Sequence, residues 1–167
     1  GKNTLAVGIL LMPAGKLADQ CTGEMTNGPA LVLVMQTMTL EWMLPGYFRG
    51  VNGTQGDGEI CTAAVEMNMK GSFKLTSRDD MMLEWPMAET EDNIITMAFD
   101  PDLDNCVVIA VRQMVNLLHT YCNISKADAY TLLSYVGNLR VTQVVNGNKG
   151  IHLMVNKEFF GNKSFKK

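Results

Sequence analysis

Up to Asp100 the chain alternates short apolar runs with clusters of glycine, proline and asparagine. Runs of this length and period fit β-strands, whose successive side chains point to opposite faces. Strands are expected at Leu5 to Met12, Ala30 to Val34, Thr37 to Met43, Ile60 to Met67, Gly71 to Thr76, Met81 to Glu84 and Asn93 to Ala98. The stretches PAGK, TNGP, LPG, NGTQGDG and SRDD read as the turns between them. Beyond Asp100 the period changes. From Leu103 to Tyr121, residues Val107, Ala110, Val111, Met114, Leu117, Leu118 and Tyr121 recur at three- and four-residue steps, the spacing of one helical face. Val108 and Ile109 lie off that stripe, so the helix is expected to be covered on more than one side. Asn123 can end it, and Ser125 with Asp128 forms a capping-box-like start for a second helix to about Tyr135, stopped by Gly137. Arg140 to Val145 and Ile151 to Val155 then read as strands joined by NGNKG, where Asn146-Gly147 suits a tight hairpin.

These elements predict an α+β fold: a β-rich N-terminal part of β/β/α-type layering, a late helical hairpin and a C-terminal β-hairpin. With 167 residues, 47% apolar and 19% charged, and with neither repeat nor low-complexity linker, one domain over 1–167 is the economical reading. A net charge of −3 provides no broad cationic field, which argues against nucleic-acid and anionic-membrane partners and suits a small neutral substrate. The apolar run from Gly28 to Leu40 is too short to span a bilayer. The opening, with Lys2 before an apolar stretch, lacks a clean small-residue cleavage site, and the missing initiator Met suggests a processed, trimmed or partial chain. Cys21, Cys61, Cys106 and Cys122 show no two-residue spacing. They are expected to be reduced and buried in a cytoplasmic protein.

Candidate chemistry concentrates at Gln55-Gly56-Asp57-Gly58-Glu59. Glycine tolerates conformations that a Cβ forbids and lets backbone N–H groups approach a ligand. Asp57 and Glu59, two apart, share a side if the backbone is extended and could then share a metal or a proton. A β-turn with two solvated acids explains the same residues. Gln55 could donate to an oxyanion or cap the turn, and Glu66, on the Thr62 face of its run, is expected to face water. Asp100, Asp102 and Asp104 precede a helix, where capping explains them. His119 suits a helix C-terminus, and His152 could face either core or pocket. No phosphate loop, dinucleotide fingerprint or nucleophile elbow is present.

The blocks QGDGEICTAAVE (Gln55 to Glu66), AETEDNIITMAFDPDLD (Ala88 to Asp104) and ADAYTLLSYVGNLRVTQVVNGNKGIHLMV (Ala127 to Val155) together resemble the acetamidase/formamidase family, in its order and at about its spacing. These hydrolases convert small aliphatic amides to ammonia and a carboxylic acid. The resemblance runs from about Pro45 to Lys157, and family members are longer, so it concerns their C-terminal part. It implies amide hydrolysis through a water activated by a divalent metal, zinc by ligand chemistry, held by Asp57 and Glu59. In that scheme Glu59 is ligand or general base, Asp57 ligates or orients it, and Gln55 contacts substrate. Gly56 and Gly58 line the substrate and His152 shuttles a proton. It also implies a homo-oligomer. Where the family has an aspartate and a histidine just before QGDGE, this chain reads FRGVNGTQ, with Gly50 and Asn52 at about those positions. Asparagine is a weaker ligand and glycine none, so the alternative is a non-catalytic member or fragment with a binding or assembly role.

Overall fold

The computed structural model describes residues 56–63, 65 and 83–162 in full, and the backbone of further strands within 4–82. In chain order the strands are β1 (Thr4–Leu5), β2 (Ile9–Pro13), β3 (Pro29–Thr39), β4 (Val51–Thr54), β5 (Val65–Met67), β6 (Lys70–Met82), β7 (Met87–Glu89) and β8 (Asn93–Asp100). Helices α1 (Leu103–Cys122) and α2 (Lys126–Val136) follow, then β9 (Asn138–Gln143), β10 (Lys149–Asn156) and a 3-10 turn at Lys157–Phe160. The main sheet runs β1-β3-β2-β7-β8-β10-β9, with β6 also on β3, while β4 and β5 pair with each other. Its strand pairs are antiparallel. The described residues are thus mixed α+β, as expected; they do not establish the β/β/α layering.

Alternation along the strands divides the sheet into two faces. On one, Ala98, Thr96 and Ile94 of β8 lie opposite Ile151, Leu153 and Val155 of β10. All six are buried, and α1 packs over them. Cys106, Ala110, Met114 and Leu118, each 0% exposed, form a four-residue ladder down the helix. Two polar ties fix its position: Thr96 Oγ1 donates to the Ala110 carbonyl at 2.9 Å, and Gln113 Nε2 donates to the Met97 carbonyl at 2.8 Å. Ala129 and Leu133 of α2, with Phe160 after β10, close the same core. The other face carries Met97, His152 and Arg140 in one cross-strand row. It holds the candidate chemistry.

Local signals set the helix boundaries. Asp102 caps α1 by accepting from the Asp104 N–H, and Asn123 ends it in the left-handed region at φ 56°. Ser125 caps α2, accepting from the Asp128 N–H. The Gly137 N–H donates to the Leu133 carbonyl at 2.9 Å. The flank of α1 expected to be covered is covered in part: Ile109 packs partly buried against the core, whereas Val108 is 50% exposed. Cys61 is exposed, Cys106 buried and Cys122 between the two, which corrects the expectation of uniform burial.

Several strand limits differ from the sequence pattern. Ala30–Val34 and the first part of the next expected strand, Thr37 to Thr39, are joined in the continuous β3, with a register shift near Met35 accommodating the pairing to β6; the remainder of that expected strand lies outside the described residues. SRDD is not a turn but lies within β6, where the backbone ladder to β3 outweighs the turn preference of its polar residues. Among the described residues of the Ile60–Met67 run, Val65–Met67 is strand, while Ile60 to Ala63 continue the loop and are exposed. Leu5 to Met12 is represented by β1 and β2. The short β7 has no counterpart among the expected strands.

Gly150 illustrates how tightly the sheet is fitted. A Cβ there would lie 2.9 Å from Phe99 Cε1 and 3.1 Å from Gln143 Cγ. Gly150→Ala is expected to lower unfolding stability by about 1–3 kcal/mol through overpacking, measurable by urea denaturation. An unchanged midpoint would show that Phe99 moves aside without strain.

Candidate functional site

The turn after β4 is shaped by two residues with positive φ. Gly58 has φ 97° and Glu59 φ 34°. Glycine accepts this region freely, whereas a Cβ makes it cost about 1–2 kcal/mol, so Glu59 is held there by its surroundings. The Gly58 N–H donates to the Thr142 carbonyl at 3.2 Å, and Gly58 forms an isolated parallel bridge with Gln143. Asn146 Nδ2 donates to Glu59 Oε2 at 3.2 Å. Backbone and side chain therefore pin the turn to the outer edge of β9 and to its hairpin loop.

That docking depends on an irregularity in the hairpin. Gly150 pairs with Gln143, but Ile151 pairs with Val141 and His152 with Arg140, so the register shifts at Thr142. A residue without a partner in the ladder turns its backbone groups elsewhere. The Thr142 carbonyl meets Gly58, and Thr142 Oγ1 lies 2.8 Å from His152 Nδ1.

Asp57 Oδ2 accepts from Arg140 Nη1 at 2.9 Å, a pair with side chains 55% and 48% exposed respectively. Arg140 Nε also donates to Asn138 Oδ1 at 3.3 Å. At that exposure the pair orients more than it stabilises. His152, half-buried, has its pKa lowered below the ordinary 6.5 mainly by loss of solvent; Asp57 opposes the shift and Arg140 adds to it. A neutral imidazole at neutral pH follows. NMR titration of His152 is expected to give a midpoint below 6.5, and a midpoint above it would mean that Asp57 dominates. Because the folded form disfavours protonation, the contribution of His152 to stability is full above its unfolded pKa and falls away as pH drops through the folded value.

The structure thus docks the turn carrying Asp57 and Glu59 on β9 and its loop, with Asp57 bonded to Arg140, the cross-strand partner of His152 on β10. Gln55 lies outside the described residues, as do the side chains of Asn52 and Glu66. Gly56 is exposed, and the Gly58 amide is engaged by the sheet. The extended backbone that would set Asp57 and Glu59 side by side is absent, and their carboxylates take separate partners, Arg140 and Asn146. Arg140, Thr142 and Asn146 were not singled out from sequence, since each looks like an ordinary hairpin residue until the register is known. His119 sits apart, its Nδ1 2.7 Å from the Ile124 carbonyl. Asp100 accepts from the Asp102 N–H at 2.8 Å, which makes the DPDLD acids a capping network.

Among the described residues no group of three or more His, Cys, Asp or Glu side chains is arranged to hold a metal. The described donor set therefore does not by itself fit the expected zinc ion. No helix among the described residues is long and apolar enough to cross a membrane.

No protein-family model and no curated protein matches the chain. Solved structures do. An acetamidase from Bacillus halodurans superposes with a TM-score of 0.62 and 29% identity over 66% of this chain and 38% of its own. A predicted acetamidase/formamidase from Thermoanaerobacter tengcongensis gives 0.62 and 28% over 68% and 38%. An acetamidase from Yersinia enterocolitica gives 0.62 and 31% over 65% and 33%. The chain resembles acetamidases and formamidases. This acetamidase/formamidase-like chain spans between 33% and 38% of those structures' lengths.

Proposed function

We propose that the chain carries part of the active site of an amidase that hydrolyses small aliphatic amides, formamide or acetamide, to ammonia and a carboxylic acid. The observation that supports this most is the docking on β9 of the turn that carries Asp57 and Glu59, with Asp57 bonded to Arg140, the cross-strand partner of His152, in a chain 28–31% identical to acetamidase/formamidase structures. Amide hydrolysis requires an activated water, stabilisation of charge on the carbonyl oxygen and a proton for the leaving amine. Glu59, a carboxylate positioned by Asn146, is the general base. His152, neutral near pH 7, passes the proton onward; if its Nδ1–H donates to Thr142, Nε2 is left as the acceptor. Arg140 fixes Asp57 beside it.

A divalent metal enters as a test and not as a step, because the described donors do not complete a site. Adding zinc to metal-stripped protein would reveal whether Asp57 and Glu59 are drawn into one. The decisive assay is ammonia release from formamide and acetamide by the purified protein. Metal-loaded protein with no turnover would favour the alternative, a non-catalytic member with a binding or assembly role, which the existing engagement of both acids by Arg140 and Asn146 supports.

A further inference from the structure

Asn146 and Gly147 are both exposed at the tip of the β9–β10 hairpin, and a Cβ on Gly147 would meet nothing within 4 Å. Glycine in the following position brings no side chain that would hinder ring closure between the Asn146 side-chain amide and the next backbone nitrogen. A second feature acts on the same peptide unit: Lys149 Nζ donates to the Asn146 backbone carbonyl at 2.9 Å. When the Gly147 nitrogen loses its proton, the resulting negative charge is shared with that carbonyl oxygen by amide resonance. An ammonium already bonded there stabilises the anion.

We propose that Asn146 is a built-in site of spontaneous deamidation, activated by Lys149, and that its conversion releases the QGDGE turn from the hairpin. The deprotonated Gly147 nitrogen attacks Asn146 Cγ, forming a C–N bond. The Cγ–Nδ2 bond breaks, and the nitrogen leaves as ammonia after taking a proton from water. Water then opens the succinimide at either carbonyl to give aspartate or isoaspartate, so the net change is amide plus water to acid plus ammonia. Asn146 Nδ2, the donor to Glu59 Oε2 at 3.2 Å, is the atom lost. Its place is taken by a carboxylate facing another carboxylate, so an attraction becomes a repulsion. The hairpin contact that holds Glu59 is removed.

The test is independent of amidase activity. Folded protein is incubated at mildly alkaline pH, and conversion at each asparagine is followed by peptide mapping and isoaspartate detection. Asn146 is expected to convert ahead of Asn123, Asn138 and Asn148. Lys149→Gln is expected to slow it several-fold, Lys149→Arg to preserve it, and Gly147→Ala to suppress it. Conversion of Asn146 no faster than at the other three positions would overturn the proposal without any variant. An unchanged rate in folded Lys149→Gln would overturn the role of Lys149. In Asn146→Asp, which reproduces the main-chain-intact product, the Gly58 amide is expected to exchange faster with deuterated solvent, and equal protection would overturn the release of the turn.

Discussion

Glu59→Gln is expected to reduce amide-dependent ammonia release by roughly 10²–10⁴-fold, the range associated with a positioned general acid or base, while leaving the fold intact. The substitution keeps shape and length. The variant side chain would still offer an amide oxygen to Asn146 Nδ2, which now bonds Glu59 Oε2 at 3.2 Å, so the tie between turn and hairpin survives. What disappears is the negative charge and the capacity to take a proton from water. The comparison is made with formamide and acetamide at saturating concentration, together with thermal melting. Equal turnover at equal stability would remove Glu59 from any essential role. Loss of turnover with a lowered melting temperature would show that the side chain acts through the turn and not on the substrate. His152→Gln provides the complementary variant, since it lies on the same face through its cross-strand pairing with Arg140.

The sequence made the helical hairpin legible because local rules and tertiary packing agree there. Ser125 and Gly137 sit at the helix limits where their chemistry places them, and the apolar stripe of α1 faces the sheet. The site was legible only in part. Counting back from a two-residue turn at Asn146-Gly147 pairs Val145 with Asn148 and hence Val141 with His152, which would put Arg140 on the helix-facing side. The register shift at Thr142 moves Arg140 opposite His152 instead, and a one-residue slip exchanges the faces of every residue beyond it. Nothing in the composition of NLRVTQ announces a bulge. The turn conformation was hidden for a related reason: Glu59 at φ 34° is a state that non-glycine residues adopt only under external constraint. Here the constraint comes from Thr142 and Asn146, more than eighty residues away in sequence. SRDD shows the reverse effect, with a strong turn pattern overridden because the long β3 offers its backbone a ladder.

Lys157→Met is expected to destabilise the protein by roughly 3–5 kcal/mol, as breaking one side of a buried ion pair does. Glu89, at the end of β7, has a side chain with 0% exposure and accepts from Lys157 Nζ at 2.7 Å, the lysine side chain being 12% exposed. Met87 and Ile94 lie in the same core, so the carboxylate has an apolar setting in which its charge is poorly solvated. Removing the cation takes away the close ammonium contact to a fully buried carboxylate, whereas an exposed pair such as Asp57–Arg140 would tolerate the same loss for about 0–1 kcal/mol. A natural domain has a total stability of about 5–15 kcal/mol, so the effect should be large in urea denaturation. Adding Glu89→Gln to Lys157→Met should recover much of the loss at neutral pH, and the double-mutant cycle separates the pair's coupling from the packing of each side chain. A Lys157→Met protein as stable as the parent at neutral pH would mean that other neighbours of Glu89 carry its charge, and that the ion pair joining β7 to the turn after β10 is dispensable.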